Sequence, residues 1–153
     1  MGKQSYLGIP DAIILCVEHR DPYLSGYKYD SYHEQPDYFR SELEMLLQME
    51  KLYDDLNFPF PGNNERHFIK KGTVPMKENL EKVINDEEML KMHGDLGTFI
   101  VRVQHRQNSS WQGRITWVEE DKTVYFRSVW EMMKLIEEAL GETEETQDPS
   151  WKD

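Results

Sequence analysis

The chain has 153 residues, one cysteine and a formal net charge of −11, which suits one compact domain or two small, tightly packed halves without a disulfide or metal staple. That acidity argues against a nucleic-acid backbone as direct partner, because binding phosphates requires a basic surface. Cys16 cannot form an internal disulfide and stands in no Cys/His cluster at zinc spacing, so a reducing cytoplasm is the expected compartment, with no metal and no cofactor.

The N-terminal stretch MGKQSYLGIPDAIILC carries only a short apolar run and no small-residue cleavage pattern. Nothing in the chain approaches the length of a membrane span. Ser5 follows Gly2 by three residues, one short of the Gly-x-x-x-Ser/Thr spacing of an N-myristoylation site, which would in any case need a eukaryotic context. Residues 12–20 and 27–32 read as strands. A third strand at 37–39 is shortened by Pro36. Ser41 and Glu44 form an S-x-x-E capping box, which opens a helix over 42–56 with Leu43, Leu46, Leu47, Met49, Tyr53 and Leu56 toward one side.

Residues 57–98 read as a linker. FPFPGNN breaks the first helix. A second helix is expected over about 76–93, with Pro75 at its start, apolar Leu80, Val83, Ile84, Met89, Leu90 and Met92, and a stop at Gly94. From Phe99 onward the first unit recurs. IILCVEHR aligns with FIVRVQHR, matching Ile14 with Ile100, Val17 with Val103, His19 with His105 and Arg20 with Arg106. After a one-residue gap Gly26 meets Gly113, YFRSELEM meets YFRSVWEM and Glu50 meets Glu137. Identities this dense indicate a tandem duplication.

In the second copy, 99–106 alternates as a strand, 107–113 reads as a polar turn, and 114–119 and 123–126 as two more strands. Ser128 and Glu131 repeat the capping box ahead of Val129, Met132, Met133, Ile136 and Leu140. The expected fold is α+β, built as two pseudo-symmetric βββα repeats at 11–56 and 99–141. Antiparallel sheets carry both helices on one face, and the middle segment fills the join. An acidic, disordered tail is expected over 142–153, with Trp151 as its one unexplained residue.

RVQHRQNSSWQGRITW with YFRSVWEMMKLIEEAL resembles a family of short Firmicutes proteins that carry an RQN-x-SWQG turn followed by FRS and a helix, over about a third of the chain. The resemblance implies a bacterial protein and carries no activity with it. The first copy departs from the pattern, reading RDPYLSG at its turn. The same stretch is similar to PilZ domains in two motifs: Arg102 and Arg106 match RxxxR, while Asn108, Ser110 and Gly113 match [DN]-x-S-x-x-G. That likeness implies binding of cyclic di-GMP, although in that family a long loop and strand separate the motifs.

His19 and His105 occupy matching positions, yet nothing nearby completes a metal site. The chain lacks a P-loop, a dinucleotide fingerprint, a nucleophile elbow and HExxH, so it is not expected to be an enzyme. The expected function is that of a non-catalytic cytosolic binding or regulatory protein acting through protein–protein interaction. Trp111, Gln112 and Arg114 are expected at the contact, because an exposed turn tryptophan suits an interface. One alternative is a sensor of a small phosphate-bearing ligand, similar to a cyclic dinucleotide, using Arg102, Arg106, Asn108 and Ser110. Another is an acidic nucleic-acid mimic that inhibits a basic partner.

Overall fold

The structure is a computed structural model and describes residues 12–57, 68, 81–107 and 110–147. Its strands are β1 (Ile13–His19), β2 (Ser25–Tyr29), β3 (Asp37–Phe39), β4 (Gly97–Gln107), β5 (Ser110–Trp117) and β6 (Lys122–Phe126). Its helices are α1 (Glu42–Leu56), the four-residue α2 (Asp86–Met89) and α3 (Val129–Gln147). The class is α+β, with all six strands in one antiparallel sheet of order β3-β2-β1-β4-β5-β6.

One sheet forms, rather than two, because β1 pairs with β4. Ile14 faces Ile100, flanked by Ile13 against Val101 and Leu15 against Phe99. The reason lies in the run IILCV, where every residue is buried. Such a strand must be covered on both faces, so it takes a central place. Ile13, Leu15 and Val17 join the larger core under α1 and α3. Ile14 and Cys16 join a smaller core on the opposite face, with Ile84, Met89 and Ile100.

Both outer hairpins bend at the same kind of irregularity. The register shifts after Val17 and after Val103, which are β-bulges. Gly26 and Gly113 sit across from these two valines. A Cβ on Gly26 would run into the Cys16 carbonyl oxygen, and one on Gly113 into that of Arg102. Only glycine permits that approach.

The helix starts follow the expected device with one change. Ser41 Oγ accepts from the Glu44 amide at 3.2 Å, and Ser128 Oγ from the Glu131 amide at 3.0 Å. The two glutamates reach back one residue beyond the cap, accepting from the amides of Arg40 at 3.3 Å and Arg127 at 2.9 Å. On α1 the buried stripe is Met45, Met49, Leu52 and Tyr53, leaving Leu43 and Leu47 exposed. Met49 and Tyr53 thus stand where expected, Leu46 and Leu56 pack part-buried against the core, and Met45 and Leu52 take the inward places expected of Leu43 and Leu47.

Four further expectations are corrected. Residues 110–113, expected within a turn, belong to β5 and pair with β4. The described part of the middle segment does not fill a join: its Ile84, Met89, Leu90 and Met92 lie on the sheet face opposite α1 and α3. The described part of its expected helix is irregular over 81–85, because the Val83 and Ile84 amides donate to the Ser31 carbonyl at 2.7 and 3.1 Å. Helix forms only where the Asn85 side chain accepts from the Glu88 amide at 2.8 Å. Lastly, α3 continues to Gln147, through half of the expected disordered tail. Arg20 supports the extension by pairing with Glu137 at 3.6 Å and Glu144 at 3.3 Å, two turns apart on one helix face. Residues 76–80 and 148–153, with Trp151, lie outside the described residues, as does Gly2. Among the described residues no helix is long and apolar enough to cross a membrane.

Candidate functional site

The bulge after Val103 decides where the expected site residues go. Without it, Arg106 would share a face with Arg102. With it, Arg106 turns under the sheet toward α1 and is 4% exposed. Its Nη1 lies 2.9 Å from Asp54 Oδ1, its Nη2 donates to the Tyr53 carbonyl at 3.4 Å, and its guanidinium stands 5.6 Å from the Tyr53 ring centre. Trp111, opposite Arg106 in the ladder, is buried with its ring edge-on to Tyr53 at 5.4 Å. These residues clamp the β4–β5 hairpin to α1.

Trp111 is therefore core and not an exposed contact. Its strand partner is already a core-facing residue, a relation that a linear pattern with a hidden bulge conceals. Arg102 is half-buried on the other sheet face, directly opposite the exposed Arg114. Ser110 and Gln112 are half-buried in β5, and Asn108 lies outside the described residues. The expected phosphate-binding set is thus not brought together, since Arg102 and Arg106 point to opposite faces. His19 and His105 are separated as well. They lie five residues to either side of the antiparallel Ile14–Ile100 pair, at opposite ends of their strands. Among the described residues, no group of three or more His, Cys, Asp or Glu side chains could hold a metal ion.

A different place has the form of a site. Between α3 and the β4–β5–β6 end of the sheet lies a cleft of about 720 Å³, within the usual range for ligand sites. Its floor is apolar, formed by Phe99, Ile115, Trp117, Val124, Leu135 and Ala139. Among the described residues its rim carries the carboxylates of Asp95, Glu119, Glu120, Glu138 and Glu142 against one cation, Lys122. Glu119 is fixed in place: its Oε1 accepts from the Thr98 amide at 2.9 Å, and its Oε2 lies 4.0 Å from His93.

The corresponding place at the β3 end is filled. Two residues after Gly26 stands Lys28, where Ile115 follows Gly113; four after stand Asp30 and Trp117. Just before Tyr38 and Tyr125 stand Asp37 and Val124. Lys28 is 1% exposed, with its ammonium 2.9 Å from Asp30 and 3.1 Å from Asp37. Asp30 also accepts from the Tyr32 amide and meets His33 Nδ1, each at 2.9 Å. Burial alone would push the Asp30 carboxyl up. The charge and hydrogen bond of Lys28, with the bonds from Tyr32 and His33, outweigh it and hold the carboxyl below its ordinary value.

Cys16, on the other face, offers no nucleophile at neutral pH. Burial foremost, then the charges of Glu18 and Glu119, push its thiol up to about 12. Comparison with family models, curated proteins and solved structures finds no match for this chain.

Proposed function

We propose that the protein is a non-catalytic binding protein that acts through protein–protein interaction, and that its α3 cleft takes a cationic, amphipathic segment of a partner. The observation that carries this reading is the chemistry of the lining: an apolar floor ringed by five carboxylates and one lysine. An apolar floor supplies affinity by burial, while the rim selects a positive occupant and repels a negative one. The chain's charge of −11 extends the same attraction to longer range. A cytoplasmic, bacterial setting belongs to the same proposal.

The proposal includes a tandem origin in two βββα repeats. It is supported by the aligned residues Ile14 and Ile100 facing each other, and by the matching bulges and matching glycine approaches. Arg20 and Arg106, aligned in sequence, each reach the helix of the opposite half. On this view one copy kept its end closed with Lys28, and the other opened a cleft.

Titration calorimetry with short Lys/Leu peptides tests the binding reading. Affinity is expected to fall as salt rises. The double variant Glu120→Gln/Glu138→Gln should weaken binding by about tenfold. Glu34→Gln/Glu87→Gln, which removes the same charge at exposed positions elsewhere, should leave affinity within about twofold. Absence of binding, or equal losses from the two double variants, would overturn the assignment of the cleft.

A further inference from the structure

The two edges of the sheet are finished differently. β3 has three residues and follows Pro36, two common ways of blunting an edge. Its backbone is also engaged from the side: Gln48 on α1 donates through Nε2 to the Tyr38 carbonyl at 2.8 Å. Among the described residues β6 has none of these protections. It is five residues long, four of them exposed, and Lys122 is its only charged side chain. Thr123, Val124 and Tyr125 are all strong strand formers. Seven residues after each capping serine, Gln48 in the first half corresponds to Leu135 in the second. Leucine has no donor to offer the Tyr125 carbonyl, and it lines the cleft instead. Among the described residues no strand pairs with the outer side of β6.

Edge and cleft are continuous, because Lys122 and Val124 of β6 belong to the cleft lining. From the unguarded edge and its acidic border we infer that the occupant is an extended segment of another protein, which adds to β6 as a further strand. The inference rests on the binding reading above. Such a strand gains main-chain hydrogen bonds along the edge and turns every second side chain toward α3. There it meets Leu135, Glu138 and Glu142, so the favoured segment carries lysine, arginine and aliphatic residues at alternate positions. A second copy of this chain fits poorly, since two such borders would bring like charges together.

The test uses the full chain and two peptides of roughly nine residues, about the length of a long strand. Both contain the same lysines and valines, one with them at every second position, so that both kinds share a strand face in alternation, and one at helical spacing. The alternating peptide is expected to bind about tenfold more tightly and to slow hydrogen exchange at the amides of β6. N-methylation of every second peptide amide should abolish binding in one phase and spare it in the other. Leu135→Gln should weaken the alternating peptide by about fivefold by restoring the side-chain donor present at β3. If the helical peptide binds as well or better, edge addition is overturned while the cleft assignment survives. Failure of both peptides removes the cleft assignment, and edge addition with it. Self-association of the chain through β6, with those amides protected before any peptide is added, would replace the partner by a second copy and overturn the inference.

Discussion

At one end of the sheet a buried lysine sits between two aspartates; at the other, the matching positions hold isoleucine, tryptophan and valine around an open cleft. The β3 end spends its polar groups on one another, so it presents a closed surface. The β6 end places apolar side chains beneath an acidic rim, so its surface presents a cleft of mixed chemistry. Two stretches with the same strand order and the same helix cap thus differ in what they offer. The positions responsible are few: Lys28, Asp30 and Asp37 are charged where Ile115, Trp117 and Val124 are apolar.

The sharpest way to break this comparison is to exchange the pairs. Lys28→Met strands the buried Asp30 carboxylate and should cost about 3–5 kcal/mol at neutral pH, read by urea denaturation. Asp30 has a lowered folded value, so its contribution is present above the ordinary carboxylate value of about 3.9 and is lost as pH falls through the folded value. The wild type and Lys28→Met should therefore converge in stability as the medium is acidified below that range. In the reverse direction, Ile115→Lys places a cation at a buried position without its carboxylates, and a comparable loss is expected. Adding Val124→Asp should return about 1 kcal/mol or more. If Ile115→Lys alone is neutral, water already solvates that floor and the contrast between the ends fails.

Trp111→Ala should cost about 3–5 kcal/mol, because it empties a core position beside Tyr53. Peptide binding by the fraction that remains folded should be unchanged, since Trp111 is not among the cleft's lining residues. The two cross-connecting arginines rank next. Arg106 is buried on Asp54, whereas Arg20 is partly exposed and its glutamates are nearly half-exposed. Removing the Asp54 partner by Asp54→Asn should cost about 2 kcal/mol. Arg20→Gln should cost about 1 kcal/mol or less. A reversed order would mean that the α3 extension depends on Arg20 more than burial suggests. Smallest are the caps: Ser41→Ala and Ser128→Ala should each cost about 1 kcal/mol by thermal unfolding.

Much of the fold was legible because it depends on neighbours in sequence. Alternation marked the strands, S-x-x-E marked both helix starts, and the repeated glycines marked both hairpins. The apolar run Ile13–Val17 also suits a strand covered on both faces, but its central place became visible only when β1 paired with β4. The candidate site was not legible. A bulge adds one residue without any fixed letter to announce it, yet it reverses every later side chain; that reversal carried Arg106 and Trp111 inward. The extended α3 meets Arg20, more than a hundred positions away in sequence, and the irregular stretch 81–85 meets the Ser31 carbonyl, contacts that no local pattern announces. Composition gave the number of carboxylates but not their positions. Only the tertiary structure gathered Asp95, Glu119, Glu120, Glu138 and Glu142 around one apolar floor, because strand pairing and helix docking, not sequence proximity, decide which distant side chains share a surface.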